Sequence, residues 1–316
     1  MIDVEVVDAL GGERVDRTVA LLTGLSRAQV SELVAAGVVS IDGRRVSARS
    51  TRLETGQRLR VAWERDEDEV VVEGDASVIL DVVFEDDDVI VLDKPADLVV
   101  HPGAGSERTT LVHGLVARYP EVRDVGEAGR PGVVHRLDRH TSGLMVVARR
   151  ESAYRALVDQ LAARDVTRRY VTLVWGELEA AAGLVDAPLG RSRQSPTRRA
   201  VRADGKEART RYQVRARYER PVPLSLLWCW LETGRTHQIR AHLRAIGHPV
   251  VGDERYDGRR DEVVALGRPF LHAAELAFEH PADGRPMRFE SALPAELEAV
   301  LHALGPAPDA LGRTAP

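Results

Sequence analysis

Cysteine is nearly absent from this chain: Cys229 stands alone among 316 residues. One thiol closes no internal disulfide and supplies no Cys-x-x-Cys zinc framework, so a disulfide-stapled domain and a zinc ribbon are both excluded. Long apolar runs are missing too. No stretch approaches the ~20 residues that a membrane-spanning helix needs, and the opening MIDVEVVDALGG lacks the basic-then-apolar pattern of an export signal. A soluble, cytoplasmic protein is the expectation. Lysine is reduced to Lys94 and Lys206, and asparagine does not occur. A GC-rich coding bias accounts for both, although the arginines it leaves are the better forks for phosphate.

The motifs of several common chemistries are also lacking. There is no GxGxxG, no GxxxxGK[ST], no HExxH and no GxSxG, so nucleotide cradles, zincins and serine hydrolases lack their parts. His135 and His140, like His237 and His242, are spaced five apart, which does not put a pair on one helical face; no metal site is expected.

A strong net charge is absent as well. The formal total of −5 argues on its face against a polyanionic partner, but charge acts by segment. Residues 66–88 carry 11 acids and no base, whereas residues 101–260 carry 29 bases against 18 acids. A basic central region therefore stands behind an acidic stretch.

Four regions follow: a small domain over 1–65, an acidic linker over 66–84, a large domain over 85–305 and a flexible tail over 306–316. In the first, Val15, Val19 and Leu22 recur at the spacing of one helical face. Ser26 stands at an N-cap position, Val30, Leu33 and Val34 form the next stripe, and Gly37 suits a helix stop. Asp42-Gly43 then predicts a tight turn between two short strands. In the large domain, VIVL at 89–92, LMVVARR at 144–150, RYVTLVWGEL, TRYQVRARY, SLLWCWLET and MRFESAL read as strands. Helices are predicted at about 151–163, over RTHQIRAHLRAIG with Ile239, Leu243 and Ile246 inward, and over PAELEAVLHALG. Strands dominate without strict β-α alternation, so the fold class is α+β with a mainly antiparallel mixed sheet.

The segment with chemistry in it is HRLDRHTSGLMVV at 135–147. A lone Asp between strands is usually a turn former. Asp138, however, lies between Arg136 and Arg139, and cationic neighbours keep a carboxylate ionised, as an attacking or charge-stabilising group requires. With one acid in the motif, a two-carboxylate glycosidase is not indicated, although a second acid could come from elsewhere.

GVVHRLDRHTSGLMVVAR resembles the catalytic motif of the RluA family of pseudouridine synthases. Further segments match in the family's order: DKPADLVVHPG, RRYVTLVWGEL, LETGRTHQIRAHL and RPFLHAAELAFEHP. GERVDRTVALLTGLSRAQVSELVAAGVVSIDGRRV is similar to the S4 RNA-binding domain, which points to the RluD-like members of the family. Asp97 and His140 depart from the pattern, at a common turn glycine and at a commonly polar or acidic position.

The resemblance implies isomerisation of uridine to pseudouridine in RNA, without metal or cofactor. Large-subunit ribosomal RNA, typically its helix 69 region, is the implied target, with tRNA as an alternative. By position, Asp138 would be the nucleophile, Tyr170 the tyrosine that packs on the base, Arg240 the partner of Asp138, and Leu271 a second wall for the base. Arg136 would insert into the RNA stack, with His135 and Arg139 as further RNA contacts. Arg27, Arg44 and Arg45, with Arg14 and Arg17, would meet phosphates in the S4-like unit. A monomer is expected. Two rivals remain open at this level: a non-catalytic RNA-binding assembly factor, and a nucleosidase that would release free uracil.

Overall fold

In a computed structural model, the structure describes residues 2–23, 27–62, 72–102, 109–195, 197–257, 264 and 266–306. Two compact units emerge, Met1–Glu69 and Val70–Pro316. Among the described residues no helix is long and apolar enough to cross a membrane.

The first unit comprises β1 (Ile2–Glu5), α1 (Val15–Thr23), α2 (Arg27–Ala35), β2 (Val39–Ile41), β3 (Arg44–Arg45) and β4 (Arg58–Val61). Val15, Val19 and Val30 are fully buried in its core. Leu22, expected on the same face, is 36% exposed: an α-helix advances 100° per residue, so a third turn of apolar spacing faces the core only if the core extends that far. Ser26 lies outside the described residues. Asp42 and Gly43 both take positive φ, 50° and 76°, and join β2 to β3 as the two-residue turn that such a pair favours. β1 was not legible as a strand. It pairs with β4 to give the order β1-β4-β2-β3.

Of the acidic stretch expected as a connector over 66–84, residues 66–71 lie outside the described residues, and the remainder is not a free connector. From residue 72 onward it packs on the second unit, with Val72 and Val78 buried at 4% and 9% exposure and Leu80 and Val82 against the same core. Alternate valines and leucines among the acids supply an inward face.

The second unit contains β5 (Val82–Glu85), β6 (Val89–Lys94), α3 (Leu111–Arg118), β7 (Ser142–Ala148), α4 (Glu151–Ala163), β8 (Thr167–Trp175), β9 (Ala182–Asp186), β10 (Leu189–Arg191), β11 (Arg199–Val201), β12 (Arg209–Tyr218), β13 (Leu224–Leu231), α5 (Gln238–Ala245), α6 (Glu254–Asp257), β14 (Leu271–Glu279), β15 (Pro286–Glu290) and α7 (Ala295–Leu304). The main sheet runs β5-β6-β7-β14-β8-β13-β12-β9, with β15 added to β14. Its pairings are antiparallel except one: β7 and β14 run parallel, in register at His272 with Ser142 and Ala273 with Gly143. That junction needs a glycine. Gly143 has φ +114°, and a Cβ there would collide with the Ala273 carbonyl. On α5, Ile239 and Leu243 point inward, but Ile246 follows the last turn and is 38% exposed.

Candidate active site

Asp138 sits in the stretch 133–141 that enters β7. Val133 bridges to Val147, Leu137 is buried in the main core, and the Thr141 N–H donates to the Asp138 carbonyl at 3.1 Å. Two buried cations hold the same loop by its carbonyls. Lys94, 1% exposed, donates from Nζ to Pro95 O, Leu98 O and Arg139 O at 2.7, 2.9 and 3.2 Å. Arg268 donates to His140 O at 3.1 Å and pairs with Glu296 at 2.7 Å. The carboxylate is thus mounted on a backbone with little freedom to shift.

α5 supplies the partner. Arg240 forms a fork on Asp253, Nε to Oδ2 at 2.6 Å and Nη2 to Oδ1 at 2.8 Å, and donates from Nη1 to Asp138 Oδ2 at 3.1 Å. Its guanidinium also lies over the Tyr256 ring, 5.1 Å from the centroid. Arg240 and Asp253 are 5% and 1% exposed; a cation this deep is tolerable only when fully paired, and the bidentate fork also fixes its plane. The Tyr256 hydroxyl accepts from Arg199 N at 2.8 Å and contacts His237 Nδ1 at 3.0 Å.

Burial alone would raise the Asp138 carboxyl, yet it is held below its ordinary value by His237, by the charge and hydrogen bond of Arg240, and by Arg136. His237 Nε2 lies 4.0 Å from Asp138 Oδ2, but burial pushes its own pKa down to about 4. At neutral pH the two guanidiniums therefore do the holding. Tyr170 is 4% exposed on β8, and burial pushes its phenol up to about 12, against the opposing charge of Arg168.

Asp138, Tyr170, Arg240 and Leu271 surround one space of about 40 Å³. A larger cavity of about 410 Å³ shares Arg136, Asp138, Tyr170, Leu231 and Arg235 with it. Arg136 is exposed and donates to His101 Nε2 at 3.3 Å. His135 lines the larger cavity, with Nε2 accepting from the Val146 N–H at 3.1 Å. Arg139 is exposed, on the far side of Asp138 in sequence, and lines neither space. Arg44 and Arg45 are exposed on β3 of the first unit; the side chain of Arg27 lies outside the described residues. Sequence reasoning missed Asp253, Lys94 and His237. The position of Asp253 directly after the apolar PVVG run at 249–252 was the available sign, since a buried acid needs a cation.

An ionised carboxylate, clamped by a buried arginine and flanked by a neutral phenol and a leucine, is chemically able to attack or to stabilise charge beside a flat ring. Comparison with known proteins sharpens this. The family model described as RNA pseudouridylate synthase matches residues 88–245. The chain belongs to that family and is an RluD-like RNA pseudouridine synthase of the RluA type. It is 42% identical to a ribosomal large subunit pseudouridine synthase D of Xanthomonas campestris pv. campestris, over 95% of this chain and 91% of that one. An uncharacterized RNA pseudouridine synthase of Chloroflexus aurantiacus is 47% identical over 92% of this chain and 90% of its own. Among solved structures, human RNA pseudouridylate synthase domain containing 1 superposes with a TM-score of 0.55 at 26% identity, covering 75% of this chain and all of that one, 100%.

Proposed function

We propose that this synthase converts uridine to pseudouridine in large-subunit ribosomal RNA, in the helix 69 region, with Asp138 as nucleophile. The observation that carries the reading is the chain of contacts Asp138–Arg240–Asp253, which keeps one carboxylate ionised and aimed at a space walled by Tyr170 and Leu271. The curated relatives named for the large ribosomal subunit support the RNA class.

A stacked uridine is out of reach of these groups, so it is flipped into the site, at a cost of about a few kcal/mol offset by new contacts. The N1–C1′ bond breaks, the uracil turns while held between Tyr170 and Leu271, and C5 bonds to C1′ before losing its proton. Asp138 either adds to C1′ or assists base expulsion through a glycal. A phenol pushed up to about 12 stays neutral at working pH, which favours Tyr170 as a packing surface over Tyr170 as the first proton acceptor. Arg136 fills the gap that the uridine leaves, next to His135 and Arg139. No redox change or external energy enters, so metal and cofactor have no role in this scheme.

In the same reading the first unit is an S4-type RNA-docking domain that meets phosphates through Arg27, Arg44 and Arg45, and the protein works as a cytoplasmic monomer. Pseudouridine mapping by carbodiimide in total RNA from cells with and without the gene tests activity and target together. Purified Asp138→Asn protein should form no pseudouridine and still bind the RNA; substantial turnover by this variant would remove Asp138 from its role, and free uracil in the reaction would make the enzyme a nucleosidase.

A further inference from the structure

The cavity of about 410 Å³ extends well beyond the groups that handle the reacting ring. Part of the lining is a stripe of α4, Tyr154, Val158 and Leu161, at helical spacing; Tyr154 and Leu161 are partly buried against the core that takes Ala153 and Leu157, and they and Val158 border the cavity. Val158 is 36% exposed. The lining is also cationic: Arg136, Arg168 and Arg235 take part in it, and among the described residues none of the three lies within ion-pair distance of a carboxylate, while of the lining acids Glu127 pairs with Arg130 and Asp138 feels the charge of Arg136. Arg168 is the most deeply placed, 7% exposed, with Nη2 donating to Leu231 O at 3.2 Å and Nε without a partner among the described residues. Beside it, His135 accepts at Nε2, so a neutral ring carries its proton on Nδ1, and that atom is also buried without a partner among the described residues. Gly234 presents no side chain here; a Cβ would lie 3.1 Å from Arg168 Nη1. Buried donors are rarely left unmade in a finished site, and a pocket of this size falls within the range, about 300–1,000 Å³, of pockets that enclose a small ligand.

We propose that this cavity is a second nucleotide subsite, taking the nucleotide that adjoins the reacting uridine: its base lies on Tyr154, Val158 and Leu161, and its phosphodiester meets Arg168 with Arg235. The proposal rests on the synthase reading given above. Apolar side chains of α4 together with arginines that include the deeply placed Arg168 match the two chemistries of a nucleotide, an apolar ring face and an anion. A neutral His135 donor adds a contact to oxygen without adding charge.

The test uses the full-length enzyme and a synthetic RNA stem-loop around the mapped uridine, with an abasic residue placed in turn on its 5′ and 3′ sides. Stacking of this kind is worth ~10-fold or more, so one of the two abasic RNAs should lose about that factor in kcat/KM. Val158→Asp, a change at a surface position, should cost the intact RNA a similar factor, and the two effects should not add. Arg168→Gln should behave likewise against a methylphosphonate at the neighbouring phosphate. Full additivity, or indifference of the wild-type enzyme to both abasic RNAs while it still converts the uridine, overturns the subsite and leaves the synthase reading standing. A wild-type protein that forms no pseudouridine overturns both.

Discussion

Arginine does two different jobs in the two units. In the first unit, Arg58 and Arg60 share Asp3 and Arg14 pairs with Asp16, all with guanidiniums largely in solvent, while Arg44 and Arg45 are exposed and have no carboxylate partner among the described residues. In the second, Arg240 is nearly inaccessible and spreads its donors over two acids. Exposed pairs contribute about 0–1 kcal/mol and are weakened by salt, whereas removing one partner from a buried network costs about 3–5 kcal/mol because the other charge is left stranded. The same residue type thus sets geometry in one place and offers replaceable charge in the other.

The largest effect expected from breaking this contrast is at Asp253. Asp253→Asn keeps the shape but halves the countercharge of Arg240, so Arg240 no longer holds one orientation toward Asp138. Turnover should fall by about 10- to 100-fold, as for other groups that orient a reacting side chain, with KM nearly unchanged. The pH profile should move with it. The depressed Asp138 carboxyl is ionised above its folded pKa, so activity is lost as pH falls through that value; weakening Arg240 raises it and shifts the acid limb upward. A fall in kcat without that shift would assign Asp253 to folding alone, and single-turnover rates across pH separate the two.

The residues of this network differ in how plainly they stand in the sequence. Asp138, Tyr170, Arg240 and Leu271 occur in motifs that could be matched in order, and the structure draws them around one space. α4 was legible to the residue, because amphipathic spacing between two strands is a local signal. Asp253 was not, because its importance comes from a contact with Arg240 that only the tertiary fold creates. β14 was hidden for a related reason. LHAAELAFE is buried almost throughout, between β7 and β8, so it shows no alternation to mark it as a strand. The acidic stretch misled through composition: its acids are conspicuous, while Val72, Val78 and Val82 between them are what attach it to the second unit.

Lys94 is the next test, since it joins neither class of arginine: it carries charge into the interior with backbone carbonyls in place of acids. Burial pushes its pKa down to about 7, against the attraction of Asp138. In the unfolded chain a lysine titrates at about 10.4, so between these values the unfolded state binds more protons and stability rises with pH. Lys94→Met should remove three hydrogen bonds that tie residues 95–98 to Arg139, destabilising the fold by about 2 kcal/mol. It should also abolish the gain in stability between pH 7 and pH 10. Urea unfolding at several pH values measures both effects, and an unchanged pH slope in the variant would show that Lys94 stays charged where it lies.

The smallest effect is expected where arginine is most exposed. If Arg44 and Arg45 serve as phosphate partners, Arg44→Gln with Arg45→Gln should raise KM for the RNA by about 10-fold at physiological salt and leave kcat alone, since neither residue is in the unit that holds Asp138. The more telling quantity is the salt dependence. Each arginine–phosphate pair contributes about 0.7 to 0.9 to the slope of log affinity against log salt, depending on whether the RNA is single- or double-stranded at that point. Removing both arginines should therefore flatten the slope by about 1.5 and bring the variant and wild type together at high salt, where released counterions no longer favour binding. Arg58→Gln, which breaks an existing pair with Asp3, should change the slope much less, because that guanidinium already has a counterion within the protein. Equal slopes for all three proteins would mean that the first unit holds RNA by something other than charge, and the contrast between the two uses of arginine would then be confined to the second unit.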